Sequence, residues 1–480
     1  MSSSDPPNLP LYARFCPEFI SKKVLNDEER LRLYKSLTGY FIGPMPLDIF
    51  FEDFFADAKF QDEGRLRTDY SELRMATKER DMYGPWVSRH LFSERRSAHL
   101  IHRKGSSTLK ERLPPNVEIH ISSDRTPDTC KLRPDAGAKL LSTISQQLST
   151  KQIKFTAFDF TSMDIVIEFK FKDEDMPFTF VRRSGAAIES KDGGPVRGQL
   201  GLYAEQHLAY QPRLAVYHVI INREVGHIIR WDRSGAVVSE AFNPTKQPWI
   251  PRLISGLNQM DRTRQGFDDT VQEANIFEST RYRKEISAFS KSSATRGWKR
   301  LADGFGVVGP KWPVYKVQVA DDSDPDGHRF CLVSRPFYVA HSPVGRATRV
   351  YLAYDLKDRS VRALKESWRV EGSVSEWTIH KTLREKGAAH ALLGTCGGDV
   401  CLEPGDPPHR TVNQDFALSS ETDDWHLPCH GAPMMHARIQ HRILEPVAFP
   451  PSCANNSREV LTIFRDVLYG ETLPRPFAVI

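Results

Sequence analysis

The chain has 480 residues, of which 40% are hydrophobic and 26% are charged, and 66 basic against 61 acidic side chains give a net charge of +5. This composition is typical of a soluble globular protein with roughly two to four domains, and the mild positive charge does not by itself indicate nucleic-acid binding. No run of about 18 apolar residues is present, which excludes a transmembrane helix, and the first residues lack the pattern of a signal peptide. The seven cysteines show no regular spacing, so we expect a reducing compartment and a cytoplasmic or nuclear protein.

The first part of the chain predicts a helical arm followed by a mixed domain. Residues 1–60 form the predicted helical N-terminal arm, in which a short helix begins near Asp27 and an aromatic-rich segment follows it. Residues 61–260 predict an α/β, or α+β, domain with a mixed sheet flanked by helices. The reason is that alternating and β-branched runs over 117–185 precede a glycine-initiated helix and further strands.

The second part predicts a basic connector over residues 261–312 and another domain over residues 313–480. Strand-like runs open this second domain, and a helical stretch at 373–387 follows them. Residues 394–433 are rich in Gly, Pro and Asp and predict a long loop, and a last helix is expected to begin near Ser457.

Two short segments place carboxylates and a lysine where two strands are expected to pair. Pro134 and Asp135 precede a small-residue run, and Glu168 and Lys170 alternate along a strand, which places both on one face. If the strands pair, Asp135 and Glu168 can share one Mg²⁺ ion, because carboxylates are hard oxygen ligands, and the Lys170 ammonium can orient water. The alternative is a pair of ordinary strands with solvated charged faces.

These residues resemble the PD-(D/E)xK nuclease superfamily, whose sites combine Pro-Asp with Glu-x-Lys. Gln199 and Tyr203 lie four residues apart on the following predicted helix and are similar to the Q-x-x-x-Y motif of the RecB-like branch. Glu79 is a weaker match to an acid that some members carry on a helix. The resemblance implies Asp135 and Glu168 as metal ligands and leaves a nucleic-acid substrate open. It implies a catalytic set formed by Asp135, Glu168, Lys170, Gln199 and Tyr203.

A second constellation lies between residues 343 and 376. Gly345 is expected in a turn between two strands, where a glycine lets the backbone approach phosphates. Lys365 ends an Ala-x-Lys pattern on a predicted strand, and Glu376 lies on the helix that follows. A strand lysine and a helix glutamate in this order can form the ion pair that orients nucleotide phosphates in a kinase N-lobe.

Several segments together are similar to the fungal-type protein kinases. The resemblance implies a nuclease-like domain followed by an incomplete protein-kinase-like N-lobe. It also implies nucleotide-binding roles for Gly345, Lys365 and Glu376, with ATP and Mg²⁺ as cofactors. The family usually has a second glycine where Ala347 stands. The matching segments are residues 40–54, 166–170, 230–242, 345–351 and 363–369.

Phosphoryl transfer also needs a catalytic His-Arg-Asp loop, which this sequence lacks. His-Arg pairs begin at residues 102, 328, 409 and 441, and none is followed by Asp. We therefore expect a truncated kinase or a divergent gene model whose kinase domain binds nucleotide or serves as a scaffold. One alternative is a metal-dependent nuclease that uses Asp135, Glu168 and Lys170. The other is a non-catalytic interaction protein. The sequence favours a protein partner or substrate and predicts no membrane association.

Overall fold

The protein forms two units, each built on a large β-sheet with helices packed against it. The structure is a computed structural model. The residues that it describes are 27–60, 77, 79, 81–82, 117–122, 134–140, 153–156, 160–180, 187–189, 193–291, 312–340, 342–388, 391–418, 435–448 and 456–470.

The first unit contains an eight-stranded mixed sheet and a two-stranded sheet. Its strands are β1 (Phe41–Met45), β2 (Val117–Ser122), β3 (Ala136–Leu140), β4 (Ile153–Thr156), β5 (Ile165–Phe169), β6 (Phe178–Phe180), β7 (Ala187–Glu189), β8 (Val216–Ile221), β9 (Gly226–Asp232) and β10 (Gly235–Ser239). The order in the large sheet is β1-β10-β9-β8-β5-β3-β2-β4, and β6 pairs with β7. Strands β5 and β8 are parallel neighbours and almost continuously apolar, because both of their faces are covered.

Helices cover both faces of the large sheet. They are α1 (Asp27–Ser36), α2 (Leu47–Phe55), α3 (Gly194–Tyr210) and α4 (Trp249–Gln259). Phe50 of α2 and Leu253 of α4 belong to one buried apolar cluster, and Leu200 and Leu208 of α3 belong to the other. The sheet is therefore a middle layer between two hydrophobic cores, which is a frequent domain architecture.

Helices α1 and α3 approach each other unusually closely. A Cβ atom added at Gly198 would collide with the backbone carbonyl of Arg30, and one added at Gly201 would collide with the side chain of Leu37. Small residues on α3 thus set the distance between the helices, and this packing fixes α3 against the sheet.

The second unit contains a mainly antiparallel sheet. Its strands are β11 (Val271–Glu273), β12 (Tyr315–Ala320), β13 (His328–Val333), β14 (Tyr338–Val339), β15 (Arg349–Asp355), β16 (Ser360–Val370), β17 (Cys396–Asp399) and β18 (Arg438–Glu445). The order is β11-β12-β13-β15-β16-β18-β17, with β14 paired to β15. The helices are α5 (Ile276–Ser290), α6 (Glu376–Glu385), α7 (Asp415–Leu418) and α8 (Ser457–Gly470). Helix α6 connects β16 to β17 along the chain, as in the predicted N-lobe.

The prediction of a mixed α+β fold with sheets flanked by helices is confirmed. None of the helices in the described ranges has the length and hydropathy that crossing a bilayer requires. The domain boundaries remain predictions, but three predicted segments differ in content. The expected helical arm contributes β1 to the sheet, the expected connector contains β11 and α5, and the expected loop after residue 394 contains β17 and α7.

Buried polar contacts join the two units. The Asn413 side chain, from the second unit, donates to the carbonyls of Arg230 and Gly235 at 3.0 and 2.9 Å. In return, the Asp232 carboxylate of the first unit accepts from the backbone N–H groups of Val412 and Asn413 at 2.8 and 2.9 Å. These reciprocal bonds hold the second unit on the β9–β10 turn.

Candidate functional site

Sheet register brings the two predicted metal ligands together in the first unit. Antiparallel pairing of β3 with β5 places Ala136 opposite Ile167, so the next pair outward is Asp135 and Glu168. Residues directly opposite in such a pair point to the same face, with Cβ atoms about 4.5–5.5 Å apart. The Asp135 carboxylate also accepts a hydrogen bond from the Phe169 backbone N–H at 2.8 Å, which orients it at the strand end.

The other three predicted residues converge on Glu168. Its Oε1 atom accepts from Lys170 Nζ at 2.6 Å and from Gln199 Nε2 at 2.6 Å. The Gln199 amide also donates to the Tyr203 hydroxyl at 2.6 Å. The alternation of β5 and the helical spacing on α3 therefore direct all five predicted side chains to one place, while their catalytic roles stay predictions.

Burial and charge determine the protonation of Lys170. Burial is the largest influence and alone would lower its pKa. The Glu168 carboxylate, together with the charges of Glu79 and Asp135, outweighs burial and raises the pKa above its ordinary value of 10.5. Lys170 is thus a cation that can orient water or stabilise negative charge, and it is a poor general base. Glu79, the weak match in the sequence, belongs electrostatically to this site.

A divalent cation fits the carboxylates of this site. Glu168 is only 2% exposed, and its Oε2 atom is buried without a hydrogen-bond partner among the described residues. An ionised carboxylate oxygen in such a position favours a cation, because a buried acceptor without a partner is costly. With Asp135 opposite, two carboxylates face the same region.

The second constellation lies where β16 meets α6. Lys365 forms an ion pair with Oε1 of Glu376, the first residue of α6. Ser375 caps this helix by accepting from the Thr378 N–H at 3.1 Å, which positions Glu376 in the first turn. The pairing of a strand lysine with a helix glutamate is the arrangement that the resemblance to kinases implies.

Sequence reasoning missed a third charge in this site. The Arg346 guanidinium lies 3.1 Å from Oε2 of Glu376, so two cations share one carboxylate. Burial is the largest influence and would raise the Glu376 pKa, but Lys365 and then Arg346 outweigh it and lower the pKa below 4.5. Only its position next to Gly345 signalled a role for Arg346, because Glu376 lies 30 residues further along the chain and cannot be assigned to it as a partner without the fold.

The glycine loop, residues 342–348, precedes β15 and contains the predicted turn. Gly345 has a φ of +89°, which glycine adopts without strain. Ala347, which stands where a second glycine is usual, has a φ of +41° and is therefore in a region unfavourable to a residue with a Cβ. The turn that was predicted at Gly345 is present, and the alanine carries strain.

Two other clusters combine carboxylates with histidine, but their hydrogen bonds do not favour a metal. Glu376, His380 and Glu445 offer ligand atoms within 4.8 Å of one another. His380 Nδ1 accepts from the Gly394 N–H at 2.9 Å, so a neutral ring carries its proton on Nε2 and has no second lone pair to give.

The other cluster consists of Asp268, Asp269 and His409. Asp268 forms an ion pair with Arg442 at 2.5 Å and accepts from Gln440 at 2.9 Å. The Asp268 carboxylate therefore already has a cationic partner and a hydrogen-bond donor within a buried network. This network explains why the three side chains lie close together, and no metal ion is needed.

Three of the four His-Arg pairs have structural roles. Arg329 bridges Asp321 and Asp355, and Arg442 bridges Asp268 and Glu366. Arg410 pairs with Glu371 and Asp415. The fourth His-Arg pair, which begins at residue 102, lies outside the described residues. None of the three described pairs therefore belongs to a catalytic loop.

Comparison with known families agrees with the second constellation. A family model described as fungal protein kinase matches residues 172–392, just under half of the chain. The matched segment contains Gln199, Tyr203, Gly345, Lys365 and Glu376. No curated protein matches the chain.

Proposed function

We propose, on the premise that residues 172–392 belong to the fungal protein kinase family, that the second unit binds Mg-ATP and acts as a nucleotide-responsive scaffold. The observation that carries this proposal is the ion pair between Lys365 and Glu376 at the junction of β16 and α6. This pair lies beside the glycine loop, since Arg346 of that loop reaches the same glutamate.

The residues of the site have separate roles in this proposal. When bound, ATP supplies an anionic triphosphate whose charge Mg²⁺ partly neutralises. Lys365, with its charge fixed by Glu376, would hold phosphate oxygens, and Gly345 would let the backbone of the glycine loop come close to them. The sequence contains no His-Arg-Asp motif, and so no group is assigned to accept the proton of a phosphoryl acceptor.

A thermal-shift titration with Mg-ATP tests the proposal. We expect the midpoint of unfolding to rise at millimolar Mg-ATP in the wild type and K365A to weaken binding at least about tenfold, because the phosphates lose their charge-assisted bond. K381A is the matched control, since Lys381 lies on α6 and pairs with Asp322 on the surface. A wild type that shows no shift, or a K365A variant that binds like the wild type, would remove the proposal.

A second candidate function is metal-dependent phosphodiester hydrolysis in the first unit. The specific observation is the buried Oε2 atom of Glu168, which has no partner among the described residues and faces the same region as Asp135. A bound divalent cation would lower the pKa of a coordinated water. Lys170, held as a cation, would orient the attacking water and stabilise charge on the phosphate. The water oxygen would form a new bond to phosphorus as the bond to the ester oxygen breaks, with the water losing a proton to solvent and the leaving oxygen taking one up from solvent.

Cleavage assays on single- and double-stranded DNA test this candidate. With Mg²⁺ or Mn²⁺ we expect activity that D135A and K170A both abolish. K172A is the control, because Lys172 follows on the same segment but is exposed and pairs with Glu174. Cleavage that survives in D135A and K170A would point to a contaminating nuclease.

A protein partner and a cytoplasmic or nuclear location remain part of the proposal. If neither nucleotide nor metal binds, the third hypothesis, a non-catalytic interaction protein, accounts best for two sites that persist as structural ion-pair networks.

A further inference from the structure

The glycine loop of the second unit is hydrogen-bonded to Arg233 of the first unit, and its Val344 side chain packs in the buried apolar cluster of that unit. The backbone N–H of Gly345 donates to the carbonyl oxygen of Arg233 at 2.8 Å. The Arg233 guanidinium in turn donates to the carbonyl of Pro343 at 3.0 Å. Two reciprocal bonds therefore attach the Pro343–Gly345 segment of the glycine loop to the β9–β10 turn.

Arg233 is itself rigidly anchored. It is 2% exposed, and its second terminal nitrogen donates to the carbonyl of Leu208 at 3.0 Å. Arg349 of β15 donates to the same carbonyl at 3.0 Å. Leu208 lies in the last turn of α3, where unpaired carbonyls and the helix dipole attract cations. The loop is thus connected through Arg233 to the helix that carries Gln199.

The bond from Gly345 has a consequence for nucleotide binding. Glycine loops bind phosphates through their backbone N–H groups, and the N–H of Gly345 is already donated to Arg233. The next residue is restrained too, because the Arg346 carbonyl accepts from the Trp368 N–H at 2.8 Å while its guanidinium contacts Glu376. In this conformation, the first unit and Arg346 occupy groups that a triphosphate would use.

We propose that the first unit is a built-in inhibitory clamp, which lowers the nucleotide affinity of the second unit by holding the glycine loop through Arg233. This inference rests on the proposed nucleotide-binding function of the same site. A binding site whose competent conformation is a minor state shows an apparent affinity reduced by the fraction of that state. Loosening the clamp should therefore strengthen binding rather than weaken it.

The test compares R233K with R329K. Both substitutions replace a buried guanidinium by an ammonium, which cannot keep two planar donor contacts at once. Arg233 holds the glycine loop, whereas Arg329 holds Asp321 and Asp355 elsewhere in the second unit. Two measurements are made on the full chain: hydrogen exchange of peptides that cover residues 342–348, without nucleotide, and the Kd for Mg-ATP.

We expect R233K to speed exchange of the glycine loop and to lower the Kd by about three- to tenfold, as the loss of the side-chain bond to the Pro343 carbonyl predicts; the backbone carbonyl that accepts from Gly345 is unchanged by the substitution. R329K should leave both at the wild-type values. The wild type alone supplies an independent arm, because the Gly345 amide should exchange slowly in the absence of nucleotide. Fast exchange there would overturn the clamp even if R233K did not fold.

The outcomes separate the clamp from the function on which it rests. Unchanged loop exchange in R233K, or faster exchange with an unchanged or higher Kd, overturns the clamp while nucleotide binding stands. Faster loop exchange with no Mg-ATP binding to either protein overturns the proposed function and, with it, the inhibitory role.

Discussion

The two candidate sites use the same pair of residue types in different ways. In the first unit, Lys170 and Gln199 both bond Oε1 of Glu168, and Oε2 has no partner among the described residues. In the second unit, Lys365 bonds Oε1 of Glu376 and Arg346 bonds Oε2. The first carboxylate thus has one oxygen without a partner among the described residues, whereas each oxygen of the second carboxylate accepts from a cationic side chain.

The two carboxylate sites also differ in how far their side chains are exposed to solvent. A buried carboxylate oxygen without a partner costs free energy, and such a cost is expected mainly where a function uses the group. Arg346 is in the opposite situation, because 62% of its side chain is exposed and a pair of this kind contributes little stability. A phosphate can therefore compete with Glu376 for Arg346 in the second unit, while a metal ion would complement Glu168 in the first.

Substitution of Glu168 by Gln should have the largest effect on this comparison. E168Q removes the charge that offsets the burial of Lys170, so the pKa of Lys170 should fall, and it removes an ionic oxygen ligand. We expect calorimetric Mn²⁺ binding and any metal-dependent cleavage to fall at least about 100-fold. E174Q is the control, since Glu174 is exposed and pairs with Lys172. Unchanged Mn²⁺ binding in E168Q would mean that the two sites do not differ in this way.

Substitution of Gly198 by Ala should disturb only the first site. The added Cβ meets the Arg30 backbone, so α1 must move away from α3, and the free energy of unfolding should fall by about 2–3 kcal/mol. Gln199 is the adjacent residue, so the bonds to Glu168 should loosen while Mg-ATP binding stays near the wild-type value. Urea denaturation measures the first effect. The control A204G measures the propensity difference between alanine and glycine on the same helix without a collision. Propensity alone would stabilise G198A, so a G198A variant as stable as the wild type would contradict the predicted collision.

Much of the first site could be predicted because it depends on local periodicity. Strand alternation places Glu168 and Lys170 on one face, and helical spacing places Gln199 near Tyr203. The approach of Asp135 required a pairing between β3 and β5, which the sequence suggests only through a motif. That these five side chains lie close together does not establish their catalytic or metal-binding roles.

The missed features depend on contacts between distant segments. The basic composition of residues 261–312 predicted a connector and gave no sign of a buried helix face. Tyr282 and Ile286, four residues apart on α5, form that face against the second sheet. Strand β1 contains Gly43 and Pro44 and has weak strand propensity, yet pairing with β10 decides its conformation. The role of Arg233 could not be predicted from the sequence either, because its side chain donates to backbone carbonyl groups that are distant along the chain.

Acid should weaken the second site through Glu376. Its folded-state pKa is lowered, so its contribution to stability is complete above the unfolded value near 4.5 and is lost as the pH falls through the lower folded value. Between about pH 5 and pH 3, the free energy of unfolding of E376Q should therefore fall less steeply than that of the wild type, with a difference of at most about 1 kcal/mol. Denaturant titrations at several pH values measure this slope. Parallel curves would show that the ion pair with Lys365 adds no stability.

Substitution of Ala347 by Gly should have the smallest effect and should be confined to the second unit. The left-handed conformation at Ala347 costs roughly 1–2 kcal/mol, and glycine removes that cost but loses about 0.5–1 kcal/mol through the greater freedom of the unfolded chain. The expected net gain is about 0.5 kcal/mol, measured as a shift of the urea midpoint. R359G is the matched variant, because Arg359 also has a positive φ, of +52°, but lies in the β15–β16 turn. Both variants should gain stability, and only A347G should change hydrogen exchange in the glycine loop. A change in loop exchange caused by R359G would show that strain spreads through the second sheet and is not local to the nucleotide site.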